Sequence, residues 1–338
     1  MELSDNLLMS LCINKAWEFQ TLTLPNPSVG AMVVDQFGKI LSLQAHQKSG
    51  NAHAELLALK EAYVTLTADA KILQLEEPRL VYDFLLQNHQ GVFSNCAIYV
   101  TLEPCSLEGK TPSCASLLKE LKPKEVIIGA METTCNQGGA KVLIQEGIAV
   151  KTHIQEQECK KLLLPFQIYV KNKKFNLFKI AQRLNGDYKS GKISSQEARI
   201  FTHNQRSVSS SIYISGNTLV HDNPLLDSRF ANKPYENTHL PRVNILTRRS
   251  NIPKTLEVFK IHQEVNIFNQ IPILGEGFNI VEGGWELFKS LKDQIDMLLL
   301  HLSPTLSQDT FTTGFAYKGE ILHSRKLGED LLLWIKNF

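Results

Sequence analysis

No long run of lysines and arginines occurs in this chain, and its charge is nearly balanced, with 36 basic against 34 acidic side chains and a net of +2. The electrostatic footprint of a polynucleotide binder is therefore missing, while small anions stay admissible as ligands. No stretch approaches the ~20 apolar residues that span a bilayer. The opening M-E-L-S-D-N-L-L lacks a basic region followed by an apolar run, so no secretory signal is read there. Six cysteines in 338 residues are too sparse for a disulfide framework. Their partial clustering reads instead as metal-binding or catalytic thiols in a reducing, cytoplasmic setting. Neither Gly-x-Gly-x-x-Gly nor Cys-x-x-Cys is present, which removes the common dinucleotide fingerprint and the usual short zinc knuckle.

What is there suffices for two globular halves. At 43% hydrophobic and 21% charged, each half can bury its own core, and the length favours two domains. In the first half Ser4 caps a helix with Leu7, Leu8, Leu11 and Cys12 on one face. The turn T-L-P-N-P-S-V-G ends it. Two strands, A-M-V-V-D and K-I-L-S-L-Q-A, join across Gly38. A helix opens at His53, the strand C-A-I-Y-V-T-L ends at Glu103-Pro104-Cys105, and another helix opens near Cys114. The remaining strand, helix and strand give the order α-β-β-α-β-α-β-α-β, a mixed sheet with helices on both faces.

Two pieces of this half belong together. His53-Ala54-Glu55 followed downstream by Pro104-Cys105 and Cys114 is the pattern of zinc-dependent base deaminases. Three protein ligands, His53, Cys105 and Cys114, leave the fourth position of a catalytic zinc to water. Glu55 is then the proton carrier rather than a ligand. A lone histidine at a helix start, or a lone buried cysteine, would be an ordinary packed side chain. It is the ordered combination that carries the assignment.

Eight residues separate the two cysteines, where nucleic-acid and nucleoside deaminases usually have two. At this point the sequence resembles the bifunctional riboflavin-pathway deaminase–reductases, the RibD/RibG type. The resemblance rests on P-N-P-S-V-G at 25–30, H-Q-K-S-G-N-A-H-A-E at 46–55 and T-L-E-P-C-S-L-E-G-K-T-P-S-C at 101–114. It implies a cytidine-deaminase-like α/β/α domain over residues 1–172 and a dihydrofolate-reductase-like α/β domain over 173–338. It further implies Asn26, His46, Glu103, Lys110 and Thr111 as pocket residues around an aminopyrimidine ribose phosphate.

The second half continues the resemblance. A strand through Lys179 and Ala181 runs into Leu184-Asn185-Gly186, and Ser194 with Glu197 forms a capping box. The string G-N-T-L-V-H-D-N-P-L-L-D-S-R at 216–229 is similar to the family's reductase motif. By that match Thr218 and Asp222 lie toward cofactor and reaction centre, and Ser190, Arg206, Leu226 and Arg229 toward substrate. Thr247 follows a strand, ahead of Arg248 and Arg249, a pair suited to a 2′-phosphate. Glu282-Gly283-Gly284-Trp285 opens a helix, with Glu282 toward substrate and Gly284 and Trp285 toward cofactor. The implied cofactors are zinc and NADPH. Lys179 and Asp222 are the candidates for assisting hydride transfer.

The chain departs from the family in four places: an insertion at about 64–93, E-T-T-C-N-Q at 132–137, Lys192 at the place of a tryptophan beside the cofactor, and a short C-terminal half. The insertion reads as a helical pair or an oligomer contact. Three rival readings follow: a deaminase whose second half is a binding or scaffold module, a nucleic-acid base deaminase, and a structural zinc protein with Cys96 or Cys135 as fourth ligand.

Overall fold

The computed structural model describes residues 4–107, 109, 112–133, 138–189, 191–309 and 313–337. The chain divides into two compact units, Met1–Leu164 and Pro165–Phe338. The division falls at Pro165, inside a helix, ahead of the 172/173 boundary expected from the sequence. A proline there removes an N–H from the helical ladder.

Unit 1 begins with α1 (Asp5–Trp17), whose Ser4 cap accepts a hydrogen bond from Leu7 N. Then come β1 (Gly30–Val34), β2 (Ile40–Ala45), α2 (Ala54–Thr67), α3 (Pro78–Asn88), β3 (Ala97–Leu102), α4 (Cys114–Leu121), β4 (Glu125–Ala130), α5 (Gly139–Gln145) and β5 (Ala149–Lys151). The sheet order is β2-β1-β3-β4-β5. β1 is antiparallel to β2 and β3, while β3, β4 and β5 run parallel. β1, β3 and β4 are apolar and buried almost throughout, as strands covered on both faces must be. Gly30 sits where α1 crosses the sheet, and a Cβ on it would run into the carbonyl of Cys12.

The insertion resolves into a 3-10 turn (Lys71–Gln74) and the single helix α3. Pro78 at the first helical position starts α3. Ile72, Val81, Leu85 and Phe93 are buried, and Phe84 packs edge-on against Tyr63 of α2 at 5.5 Å. The segment therefore contributes to the unit 1 core, with one helix and a 3-10 turn rather than a helical pair.

α6 (Glu156–Asn172) crosses the division. Unit 2 continues with β6 (Lys174–Arg183), α7 (Gln196–Val208), β7 (Ser211–Ser215), α8 (Gly216–Asp222), β8 (Arg242–Leu246), α9 (Val258–Ile261), β9 (Val265–Phe268), β10 (Gly277–Glu282), α10 (Trp285–Leu291), β11 (Met297–Ser303), β12 (Glu320–Leu327) and β13 (Asp330–Lys336). They form one sheet in the order β12-β13-β11-β6-β10-β7-β8-β9. Its six-stranded parallel part carries an antiparallel β12–β13 edge. The sheet is covered differently on its two faces. Phe178 of β6 meets Phe288 of α10 at 5.0 Å, whereas Phe201 of α7 meets Trp334 of β13 at 6.3 Å. Because alternate residues of a strand face opposite ways, Lys179 lies on the side opposite Phe178.

Two local expectations are corrected here. The cap of α7 is Ser195, whose hydroxyl accepts from Ala198 N, so the Ser194/Glu197 capping box does not form: the third helical position is Ala198, which has no polar side chain to reach back. Gly216-Asn217-Thr218 is not a turn but the start of α8, with Ser215 as cap. Ser215 holds Thr218 through both its backbone N–H and its hydroxyl, which supplies the first-turn bond that a free turn would lack.

Candidate active sites

The first site forms where two chain segments enter helices. His53 is the N-cap residue of α2, in extended conformation, with Glu55 in the first turn. Cys105 follows β3, and Cys114 is the first residue of α4. Ser113 ties these segments together. Its hydroxyl donates to the Cys105 carbonyl at 2.9 Å and accepts from Ser116 N at 3.1 Å. His53 Nδ1 lies 3.6 Å from Cys105 Sγ and 3.5 Å from Cys114 Sγ. These three ligand atoms lie within 4.8 Å of one another.

The electrostatics suit a cation. Cys114 holds the Cys105 thiol down to about 4 through their hydrogen bond, against the opposing effect of burial, and His53 adds to this. The same bond, with burial, pushes the Cys114 thiol up, so the pair shares a proton that a metal would displace. Burial alone would lower the His53 pKa, but the Cys105 hydrogen bond and the Glu55 charge outweigh it and raise it. One imidazole and two thiols are the three-ligand donor set of a catalytic zinc. Cys96, the proposed fourth ligand of a structural site, is outside the group, its Sγ resting 3.9 Å from the Val92 carbonyl. Cys135 lies outside the described residues.

Glu55 is 4% exposed. Burial raises its carboxyl above the ordinary range, with His53 opposing, as proton transfer near neutrality requires. His46 is 2% exposed, and its ring meets that of His53 edge-on at 5.5 Å. His46 Nδ1 is 3.0 Å from the Ala52 carbonyl, and Nε2 is 3.4 Å from Asn26 Nδ2. An N–H on Nδ1 and a lone pair on Nε2 satisfy both contacts. Burial and the neighbouring His53 bring its pKa down to about 4. His46 thus packs against His53, and Asn26 against His46.

Glu103 holds backbone. Its Oε1 accepts from Gly138 N and Ala140 N at 3.1 and 2.9 Å, and its Oε2 accepts from Glu132 N at 3.2 Å. The carboxylate clamps the chain after β4. Lys110 and Thr111 lie outside the described residues.

In unit 2 a cleft of about 410 Å³ gathers Lys179, Lys192, Arg206, Asp222, Leu226 and Arg229, six positions singled out along 50 residues of sequence. Lys179 is in register with Glu282 of β10. Burial lowers the Lys179 pKa, partly offset by Glu282. Arg206 meets Glu282 with Nε at 2.8 Å and Nη2 at 2.7 Å, and Nη1 reaches the Asp227 carbonyl at 3.2 Å. His203, missed as a site residue, lines the same cleft. Its pKa falls to about 4 through burial and Arg206. The clue was its place one turn before Arg206.

The expected cofactor positions lie toward the strand ends of the same sheet, where open α/β sheets take ligands. Ala181 is in register with His301 of β11. A Cβ on Gly216 would strike Thr247, so the ends of β7 and β8 meet closely there. Arg249 Nη2 donates to Asn217 Oδ1 at 3.0 Å. Gly284 has no Cβ because the Tyr188 ring occupies that space. The Trp285 indole N–H donates to Gln182 Oε1 at 3.1 Å, and its ring packs edge-on against Phe288. Ser190 lies outside the described residues.

The cytidine and deoxycytidylate deaminase zinc-binding region matches residues 3–130, and the RibD C-terminal domain matches residues 183–316. The chain belongs to the RibD family. It is thus a deaminase–reductase of riboflavin biosynthesis, with a zinc-binding deaminase region in its first half. The riboflavin biosynthesis protein RibD of Aquifex aeolicus is 26% identical over 384 residues, which cover 99% of each chain. RibD of Synechocystis is 29% identical over 232 residues, covering 66% of this chain and 55% of the relative. Among solved structures, Acinetobacter baumannii RibD (form 1) has a TM-score of 0.63 at 22% identity, covering 99% of each chain. The diaminohydroxyphosphoribosylaminopyrimidine deaminase/5-amino-6-(5-phosphoribosylamino)uracil reductase of Thermotoga maritima has 0.62 at 22%, covering 98% of each. At that identity the structural likeness speaks for the fold.

Proposed function

We propose that this RibD chain takes 2,5-diamino-6-ribosylamino-4(3H)-pyrimidinone 5′-phosphate, deaminates it hydrolytically in unit 1 and reduces the ribosyl group to the ribityl chain in unit 2. The observation that carries the first step is the convergence of His53, Cys105 and Cys114 beside the buried Glu55. His53, Cys105 and Cys114 would hold the zinc, which supplies the Lewis acidity that brings the pKa of water toward ~7. Glu55 takes a proton from the attacking water and hands it to the departing ammonia, as its raised carboxyl pKa allows. His46 backs the His53 ring, with Asn26 behind it. Lys110 and Thr111, on the loop between the cysteines, stay with the substrate by resemblance.

In the second step NADPH supplies the hydride. Lys179 is the donor we assign to the ribose oxygen as the ring opens, since burial lowers its pKa and eases release of the proton. Asp222, which lines the same cleft, orients the sugar. Arg206 fixes Glu282 beside Lys179, and Leu226 and Arg229 flank the substrate. Ala181, Lys192, Thr218, Thr247, Gly284 and Trp285 form the nicotinamide nucleotide side, and Ser190 remains assigned to substrate. The compartment that fits the paired thiols is the cytoplasm, where they stay reduced. A small substrate rather than a polynucleotide fits the near-neutral charge.

Product mass tests the whole reading. Zinc-loaded protein incubated with the substrate should yield the deaminated product alone, and the ribityl product only when NADPH is added. Deamination that NADPH never extends would leave unit 2 as a scaffold. No deamination by metal-replete protein would overturn the proposal.

A further inference from the structure

His301 of β11 is 1% exposed, and neither of its ring nitrogens has a hydrogen-bond partner among the described residues. A buried imidazole left in that state costs stability that an apolar side chain of similar size would not. Register places it between Ala181 of β6 and Leu332 of β13. Two residues back, Leu299 stands directly opposite both Lys179 and Trp334. Alternate residues share a face, so His301 and Lys179 lie on the same side of the sheet, the side on which Phe201 of α7 meets Trp334. They are diagonal neighbours on adjacent strands, a spacing that long side chains bridge. Ala181, beside His301, brings only a methyl group to that face.

The other charges on this face have their own engagements. Glu282, opposite Lys179 on β10, pairs with Arg206 of α7. Asp330 of β13 accepts from Ser195 N at 2.9 Å. Arg325 of β12 stands two strands from His301, ~10 Å at the usual strand spacing, and lies over the Phe201 ring at 5.2 Å. His203 and Arg199 of α7, with Lys192, Asp222 and Arg229, line the cleft itself. Burial, with the charges of Lys179 and Arg325, holds the His301 pKa well below the usual imidazole range. The ring is therefore neutral, with one N–H and one bare nitrogen. Of the two cations it feels, Lys179 is the nearer by register and the one on a flexible stem.

We propose that His301 is a positioning residue of the reductase step, offering its bare nitrogen to the Lys179 ammonium from the β11 side, opposite Glu282 on β10. This rests on the reading above of Lys179 as the proton donor to the sugar. Burial and Arg206 favour loss of the Lys179 proton, while Glu282 and Asp330 favour its retention. The His301 lone pair joins the second group. Removing it moves the alkaline limb of reduction, where Lys179 loses its proton, to lower pH. One hydrogen bond to a charged group corresponds to a shift of about one pH unit.

Reduction of the deaminated ribosyl phosphate by the full-length, zinc-loaded protein, followed against pH, tests this. His301→Leu removes an unpaired buried polar group, so it should melt at or above the wild-type temperature. Its alkaline limb of kcat/KM should nonetheless lie about one pH unit lower. His301→Gln keeps an acceptor and should restore most of the limb's position. A limb that stays in place in His301→Leu, or that moves equally in both variants, would overturn the assignment and leave His301 an ordinary core side chain. Nitrogen NMR of 15N-histidine-labelled protein needs no activity. The bare-nitrogen signal of His301 should step as Lys179 titrates, and the step should vanish in Lys179→Met. If wild type reduces nothing, the reductase reading fails. The His301 contact still stands if that step is seen, and falls if it is absent.

Discussion

Arg206 grips both carboxylate oxygens of Glu282, at 2.8 and 2.7 Å, with each side chain only 13% exposed. Burial by itself would raise the carboxyl pKa, but the Arg206 charge and its hydrogen bonds, helped by Lys179, bring it down to about 2. An acid whose folded pKa is depressed stabilises the fold above its unfolded pKa of 4.5 and loses that contribution as pH falls toward 2. Glu282→Gln should therefore lower the stability of unit 2 by about 3 kcal/mol at pH 7. It should also flatten the fall in stability between pH 4.5 and 2. Urea midpoints at pH 6 and pH 3 check both, and equal wild-type and variant slopes with pH would contradict the account.

The two chemistries should separate on metal removal. Chelation, or Cys105→Ser, is expected to abolish ammonia release while leaving NADPH oxidation with the already deaminated substrate within about twofold, since His53, Cys105 and Cys114 all lie in unit 1. Parallel loss of both activities would mean that the second step also depends on the metal.

Leu85 of α3 is fully buried within the segment that reads as an insertion. Leu85→Ala should cost about 2–5 kcal/mol in unit 1, as for other buried leucines. A loss under about 1 kcal/mol would show that the segment is peripheral to the core after all.

Glu103 accepts three backbone N–H bonds from the chain after β4. A glutamine in its place has one oxygen fewer and turns an NH2 group toward one of those donors. Glu103→Gln should destabilise unit 1 by about 1–3 kcal/mol and raise the deaminase KM. A thermal melt together with ammonia kinetics checks this, and an unchanged melting temperature would leave Glu103 as a plain pocket residue.

The metal site was legible because its chemistry demands particular residue types in a fixed order. The same holds for the order of elements in unit 1, where hydrophobic periodicity and helix caps agree. Lys179, Arg206 and Asp222 also came together as the motif spacing implied. The neutralisation of Arg206 by Glu282, 76 residues away, had no local mark, and neither did the clamp of Glu103 on the chain after β4. The α3 helix was obscured because its apolar residues Val81, Tyr82 and Leu85 fit a helix or an interface equally well. The β12 and β13 strands passed unread since charged residues such as Arg325 and Lys326 interrupt the apolar pattern of β12. The close approach of the Tyr188 ring to Gly284 had no local mark in the sequence either.

The most direct test of the central claim compares wild type with Glu55→Ala, each loaded with zinc and assayed for ammonia release. Glu55 lies beside the ligands but is not among them, so both proteins should bind one zinc per chain. Only wild type should release ammonia, with the variant down by at least about 100-fold, the usual contribution of a proton-transferring group. A variant that binds zinc and deaminates like wild type would contradict the account.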